Sequence, residues 1–171
     1  MRVKLEAVML VLLGVVLIFS AGAMAQTESE ESTELDLGNL NNLDFKIEGS
    51  LEDDPATFRF RGKRIGEEDE SVRLDVTTED GGEMIVILVK GEKKGWFKDL
   101  EETTWQVFPS MMFSQMWTSW REPYLSIASE ESTSWEEMEG EEYEIETEKE
   151  TVTVYDIEVN ETVDESIFEP N

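Results

Sequence analysis

Residues 57–112 decide the fold, and they read TFRFRGKRIGEEDESVRLDVTTEDGGEMIVILVKGEKKGWFKDLEETTWQVFPSMM. Phe58 and Phe60 alternate with polar residues, and the same alternation recurs over residues 72–76. A period of two is typical of a strand that buries one of its faces. Glycines and acidic residues separate these segments and favour turns between them. The stretch therefore predicts a one-sided antiparallel sheet, followed after Pro109 by a segment that covers it.

Further strands are predicted on both sides of this pattern. Residues 84–89 (MIVILV) are apolar at every position, so this strand should be covered on both faces. Two short strands should follow, either side of residues 98–102. The remaining predicted strands lie at residues 45–48, 124–128, 135–138, 141–147 and 150–159, with a bulge near Val154 in the last of them. The closing apolar residues Val163, Ile167 and Phe168 are expected on a sheet edge.

A helix is predicted to start at Pro109. Its apolar side recurs at helical spacing and consists of Met112, Phe113, Met116, Trp117 and Trp120. We expect it to end at Arg121 or Glu122, because a proline at position 123 disfavours helical backbone in the residue before it. Two roles stay open for this helix: it either plugs the sheet to complete the core or forms a lid over a ligand cavity. Methionine side chains suit both roles.

The N-terminus has the layout of a secretory signal peptide. Arg2 and Lys4 precede an apolar run over residues 8–19, and Ala23-Met24-Ala25 offers a cleavage site, which predicts a signal peptide over residues 1–25. Counted to Ala25, the apolar stretch is roughly 18 residues, the lower limit for a membrane span. An uncleaved anchor that tethers the domain to a membrane therefore stays open. Both alternatives predict an extracytoplasmic location, whether secreted, periplasmic or on the outer face of the membrane.

The charge of the chain restricts its partners. Fourteen basic residues stand against 41 acidic ones, a net charge of −27. This balance argues against a nucleic-acid partner, because binding to phosphates needs the opposite sign. Such a surface repels itself at low ionic strength, and at molar salt a Debye length of about 3 Å screens the repulsion. We expect a salt-tolerant, halophilic protein.

Residues 26–37 are acidic and rich in Ser and Thr, and they predict a disordered linker. Residues 38–171 are predicted to form the folded domain.

No catalytic or metal site is predicted. The chain contains neither His nor Cys, which removes the usual zinc ligands, the usual general base and any Ser–His pair. Adjacent carboxylates such as Glu67-Glu68 occur by chance in so acidic a chain. The acidic turn at Asp53-Asp54 lacks the spacing of a calcium loop. We therefore predict a protein that is not an enzyme and has no cofactor, and we note Asn160-Glu161-Thr162 as a potential N-glycosylation site at Asn160.

Three segments together resemble a known family. They are FRFRGKRIGEEDESVRLDV (58–76), GWFKDLEETTWQVFP (95–109) and VTVYDIEVNETVDESIFEPN (152–171). Their order and pattern are similar to those of the LolA-like outer-membrane lipoprotein-sorting proteins and their LolB and LppX relatives. The resemblance implies a mainly β (α+β) fold, an incomplete antiparallel β-barrel covered by one or more helices. It also implies that the concave apolar face receives acyl chains, with Arg59, Arg61 and Arg73 as candidates for an arginine that contacts the ligand.

Residues and resemblance together predict a non-enzymatic transport or binding domain for lipid or lipoprotein acyl chains. Burial of each CH₂ group would contribute about 0.8 kcal/mol. The expected apolar lining consists of Phe58, Phe60, Leu74, Trp96, Trp105, Met112, Phe113, Met116, Trp117 and Trp120. The alternative is a cell-envelope interaction or sensor module with a filled core and no ligand, in which the tryptophans serve only to pack the core.

Overall fold

A computed structural model describes residues 37–51, 53–99, 104–131, 133–147 and 149–170. The predicted signal peptide and all of the predicted linker except Leu37 lie outside these residues. Leu37 itself packs, half-buried, against the core. Within the described ranges, no helix combines the length and the apolar character that a membrane crossing requires.

Eight strands form a single antiparallel sheet in the order β6-β5-β4-β3-β2-β1-β8-β7. The strands are β1 (Asn42–Leu51), β2 (Asp54–Lys63), β3 (Ser71–Thr78), β4 (Glu83–Val89), β5 (Lys94–Lys98), β6 (Gln106–Val107), β7 (Tyr143–Glu146) and β8 (Thr151–Val159). The helices are α1 (Phe113–Glu130) and α2 (Trp135–Met138), with short 3-10 helices at Ser110–Met112 and Glu165–Phe168. The sheet is curved and unclosed, and a helix covers it, so the predicted fold class is confirmed.

The inner face of the sheet, which we define as the face that α1 covers, is apolar across its width. One row of cross-strand neighbours runs through five strands, because each residue pairs with the next. The row consists of Phe45, Phe60, Leu74, Val86 and Phe97, and none is more than 6% exposed. Paired side chains of this kind are the unit of sheet stabilisation. The alternation read from the sequence thus places a continuous hydrophobic surface under the helix.

The outer face of the sheet has a smaller apolar cluster over β4. Ile85 and Ile87 lie beside the buried Phe168, which confirms that β4 is covered on both faces. The C-terminal segment therefore packs on the outer face, and its predicted position on a sheet edge is wrong. A hydrogen bond of 2.9 Å from Arg73 Nη1 to the carbonyl oxygen of Ile167 fixes it there. An edge would have offered these apolar side chains less surface to cover.

Helix α1 is longer than predicted. It passes through Pro123 and ends at Glu130, so both the predicted end at residues 121–122 and the predicted strand at 124–128 are wrong. A proline inside a helix costs one backbone hydrogen bond. The burial of the next two turns offsets that cost, since the apolar stripe continues there with Tyr124, Leu125, Ile127 and Ala128, all at most 3% exposed.

Residues 135–138 form one turn of helix instead of the predicted strand. Ser134 caps this turn by accepting a hydrogen bond of 3.3 Å from the backbone N–H of Glu137. Both Trp135 and Met138 are buried, and a spacing of three residues places them on one side of a helix. In a strand, the same two side chains would have pointed to opposite faces.

The predicted bulge in β8 lies two residues further along than expected. Opposite β1, the register shifts between the pairs Asp44–Glu158 and Lys46–Tyr155. Asp156 takes up the extra residue with a φ of 52°, a left-handed conformation that Asp tolerates better than most residues. The bulge lets Val154 and Ile157 both face the core.

Candidate functional site

The centre of the interior is an aromatic stack between sheet and helices. Phe45 and Phe60, on β1 and β2, have ring centroids 5.3 Å apart. Tyr124 of α1 lies 5.3 Å from Phe60, and Trp135 of α2 lies 4.9 Å from Phe45. Offset aromatic pairs at these distances add to the energy of simple burial. Both helices are thus held against the same two strands.

Most of the predicted lining residues meet on the inner face. Phe58, Phe60 and Leu74 belong to its core, and so does the helix side formed by Met112, Phe113, Met116, Trp117 and Trp120. Trp96 and Trp105 do not, since they pack into the cluster on the outer face. Placing these two tryptophans in the lining was wrong. The next residue after Trp96, Phe97, pairs with Val86 on the inner face, so Trp96 must point the other way.

Four side chains of the inner core are almost completely enclosed. Phe60 is 0% exposed, Leu74 and Met116 are each 1% exposed, and Trp120 is 2% exposed. Side chains so fully enclosed have neighbours on every side, as in any close-packed core. An apolar chain can therefore enter at this position only if α1 moves away from the sheet.

A buried ion pair ties α1 to the rim of the sheet. Arg121 donates from Nε to Glu70 Oε1 over 2.5 Å and from Nη2 to Oε2 over 3.1 Å. The Glu70 side chain is 0% exposed, and it also accepts a hydrogen bond of 3.0 Å from the backbone N–H of Gly66. The guanidinium lies 5.6 Å from the centre of the Trp117 ring. We call Glu70–Arg121 the latch.

Sequence reasoning missed the latch. Glu70 closes a run of acidic residues in a segment that the sequence predicts as a turn, and charge alone does not show which member of the run is buried. A signal was nonetheless available. Arg121 is the one Lys or Arg among residues 99–148 of the sequence, and it sits beside the apolar side of the helix. A lone cation in such a position calls for a carboxylate partner.

Two buried tryptophans near the helix differ in their hydrogen bonding. The indole N–H of Trp135 donates to the carbonyl oxygen of Leu125 over 3.4 Å. For Trp120, no acceptor among the described residues lies within hydrogen-bonding distance of Nε1. One turn further along, burial raises the pKa of the Tyr124 hydroxyl well above its ordinary value. The interior around these groups is therefore strongly apolar.

A recess of about 270 Å³ opens beside the inner face at the C-terminal end of α1. It is formed by Leu37, Gly38, Leu125, Ala128, Ser129, Thr133, Ser134, Trp135 and Glu136. Its walls come from α1, from α2 with its cap, and from the start of the described chain. The inner core is therefore only partly covered at this end.

The three arginines suggested as ligand contacts lie on the outer face. Arg59 binds Asp44 through two hydrogen bonds of 2.9 and 2.7 Å, which raise the pKa of its guanidinium. Arg61 and Arg73 both bind Asp75, the latter with Nη2 2.6 Å from Oδ1. Because successive residues of a strand point to opposite faces, none of them reaches the inner face. None of the three candidates therefore lies where it could contact a ligand held on the inner face.

A shallow groove of about 240 Å³ lies on the same outer face, between the strands and the C-terminal segment. It is lined by Leu43, Asp44, Arg59, Arg61, Glu158, Glu161, Thr162, Val163, Asp164 and Ile167. Its two arginines are already paired with Asp44 and Asp75. Four of the other eight lining residues are acidic, so the groove offers no free positive charge to an anionic ligand.

Asn160 has a structural role in the turn after β8. Its Oδ1 accepts hydrogen bonds from the backbone N–H groups of Asn41 (2.7 Å) and Asn42 (3.1 Å), and its Nδ2 donates to the carbonyl oxygen of Asn39 over 3.3 Å. The residue is exposed, and glycosylation there stays a prediction. Among the described residues, no group of three or more acidic side chains is placed to hold a metal ion.

The fold and site define a class of domain: a mainly β domain whose curved, open sheet is covered by a helix. No family model matches the chain, and neither a curated protein nor a solved structure does. The resemblance to the LolA-like proteins therefore stays a prediction.

Proposed function

We propose that this chain is an exported, non-enzymatic carrier or binding domain that takes an apolar chain, such as a lipid or lipoprotein acyl chain, between the inner face and α1. The observation that supports it best is the construction of the cover. An apolar face that spans the sheet is covered by one long helix, and Met112 and Met116 pack against the core beneath this cover. A single buried ion pair ties the middle of that helix to the rim.

On this proposal, binding replaces the contacts between α1 and the inner face with contacts between an acyl chain and the inner face. When α1 lifts, both members of the latch become hydrated, and the inner face is exposed until an acyl chain replaces the helix contacts. Twelve buried CH₂ groups would contribute about 10 kcal/mol, at about 0.8 kcal/mol each, before association costs. Opening α1 gives up apolar contacts of similar worth, so the net gain is a small difference between two large terms, which keeps the complex reversible. Met112 and Met116 can repack around chains of different shape.

The location of the domain belongs to the same proposal. An N-terminal signal would export it, and an uncleaved signal would keep it as a tether at the membrane. The strongly acidic surface would not adsorb to an anionic bilayer unaided. Transfer of an acyl chain would then depend on a protein partner or on the tether, rather than on direct adsorption.

A second candidate is an interaction or sensor module of the cell envelope that holds no ligand. The enclosed core favours it, because Phe60, Leu74 and Met116 are already almost completely buried without a ligand. Function would then lie on the acidic exterior. Capture of a defined protein partner from membrane extracts, by a sample that is free of lipid, would favour this candidate over the carrier.

The deciding experiment is native mass spectrometry on protein expressed with its export signal and purified without detergent. We expect a population with extra mass that extraction with organic solvent removes and that fragments as a lipid. The purified protein should also bind a dansyl-labelled fatty acid. The control variant Met111→Ala should bind it equally well, because Met111 is 89% exposed and lies just before the helix. A single mass equal to that of the chain, together with no binding of the dansyl probe, would overturn the carrier proposal.

A further inference from the structure

The proposed function gives no role to the buried indole N–H group of Trp120. The residue is 2% exposed, and no acceptor among the described residues bonds its indole nitrogen. A buried donor without a partner costs about 1–3 kcal/mol, so native interiors seldom keep one without a reason. Trp135, buried to a similar degree, donates its N–H to Leu125. The chain can therefore satisfy an indole in this core, and it does not do so for Trp120.

The position of Trp120 links this donor to the opening of the cover. Trp120 directly precedes Arg121, the helix member of the latch. Movement of Arg121 away from Glu70 would open a gap next to Trp120. Trp120 belongs to the same core cluster as Phe60 and Leu74, so a ligand that lies on the inner face lies in the core that holds the indole. The strongly raised pKa of Tyr124, caused by desolvation, indicates a local environment in which a hydrogen bond counts for more than in water.

We propose that the Trp120 indole N–H is the polar anchor of the bound ligand and donates to a carbonyl oxygen of an acyl group. An indole N–H is a donor only. It therefore favours ligands that carry a hydrogen-bond acceptor, and it does not discriminate between ligands by chain length or branching. The ligand class is accordingly an acyl ester or fatty acid, as opposed to a plain hydrocarbon. The anchor holds the carbonyl under the latch, while the hydrocarbon part lies along the inner face. This inference rests on the proposed function and adds ligand selectivity to it.

Two probes of matched chain length test the anchor: methyl palmitate, which has an ester carbonyl, and heptadecane, which has none. Both are delivered from cyclodextrin, and both compete with a dansyl-labelled fatty acid for binding to the whole protein. We expect the wild type to prefer the ester about five- to tenfold, which is the worth of one neutral hydrogen bond. Trp120→Phe should lose that preference and keep its affinity for heptadecane. Trp135→Phe, whose N–H already has a partner, should keep the preference.

Stability of the two variants without ligand gives an independent reading. Both variants lose buried volume, but Trp120→Phe loses no hydrogen bond made among the described residues, so its urea midpoint should fall less than that of Trp135→Phe. Trp135→Phe removes a made hydrogen bond and should unfold at lower urea. A fall for Trp120→Phe as large as that for Trp135→Phe would show that the donor has a partner in the free protein, such as a fixed water, and would overturn the inference.

A measurement on the unaltered chain covers the case in which Trp120→Phe does not fold. In a nitrogen-15 NMR spectrum, the indole N–H resonance of Trp120 should move further downfield on addition of methyl palmitate than on addition of heptadecane. Equal affinity of the wild type for both probes, or a resonance that the bound ester moves no further downfield than heptadecane does, overturns the anchor while the carrier function stands. No binding of either probe overturns both.

Discussion

The latch makes a quantitative prediction, because one of its charges has no contact with water. Arg121→Met removes the cation and leaves the Glu70 carboxylate, 0% exposed, without its ion-pair partner. Removing one partner of a buried pair costs about 3–5 kcal/mol of the free energy of unfolding. One hydrogen bond, from the backbone N–H of Gly66, would remain to the carboxylate, so the lower half of that range is the better estimate. The loss is a large part of the total stability of a typical domain, about 5–15 kcal/mol.

Urea unfolding, monitored by circular dichroism, measures this loss of stability. Two further variants show whether it comes from the unpaired charge. Glu70→Gln combined with Arg121→Met leaves no unpaired charge and keeps an acceptor for Gly66, so its stability should return to within about 1–2 kcal/mol of the wild type. Lys94→Met is the control for an exposed pair, since Lys94 and Glu92 are 56% and 57% exposed, and it should change stability by less than about 1 kcal/mol. An Arg121→Met variant that loses no more than Lys94→Met would refute the latch, and so would a double variant as unstable as Arg121→Met.

Three further predictions concern the fold. Pro123→Ala restores an N–H inside α1 and should raise the free energy of unfolding by about 1–3 kcal/mol, as read from its urea midpoint; a lower midpoint would mean that the helix has adapted to the proline. The pKa of Asp164 is lowered by hydrogen bonds from Ser166, and the pKa of Glu165 is lowered by a hydrogen bond from Lys63. Each carboxylate therefore adds stability above its ordinary pKa, 3.8 for Asp and 4.5 for Glu, and that stability is lost as the pH falls through the lower folded-state pKa. The wild type should be more stable than the double variant Asp164→Asn, Glu165→Gln near neutral pH, and the two should be equally stable in strong acid. A difference in stability that persists in strong acid would contradict the role given to these carboxylates. Finally, unfolding stability should hold or rise from about 0.1 to 2 M NaCl, since salt screens the self-repulsion of a chain with net charge −27; a steady fall would contradict the halophilic prediction.

Period-two alternation was enough to predict most of the sheet. Phe45, Phe60 and Leu74 each follow it, and each lies on the inner face. The pattern works here because one face is buried, so a shift of one residue would turn every side chain to the wrong side. The uniformly apolar β4 was equally informative, since it required a second cluster on the outer face. The residues that supply this cluster, Phe168 among them, could not be placed from local pattern.

The errors arose where local rules and tertiary packing disagree. Pro123 predicted a helix end, but the two apolar turns beyond it bury enough surface to carry the helix through. Trp96 and Trp105 were assigned to the lining because aromatic residues suit a pocket, although alternation with Phe97 already placed Trp96 on the other face. The buried state of Glu70 depends on Arg121, which is 51 residues away in sequence, and no pattern within either segment reports on that contact.

The most direct test of the central claim is the reactivity of a thiol beneath the cover. The chain contains no Cys, so Met116→Cys, at a position that is 1% exposed under α1, gives a signal without background. Ile87→Cys, at a position 0% exposed in the outer cluster, is the matched control. If α1 opens as a lid, the thiol at position 116 reacts with a maleimide faster than the thiol at position 87 under native conditions, and a bound dansyl fatty acid slows only the former. Equal reactivity at the two positions, or no protection by the fatty acid, would contradict the account.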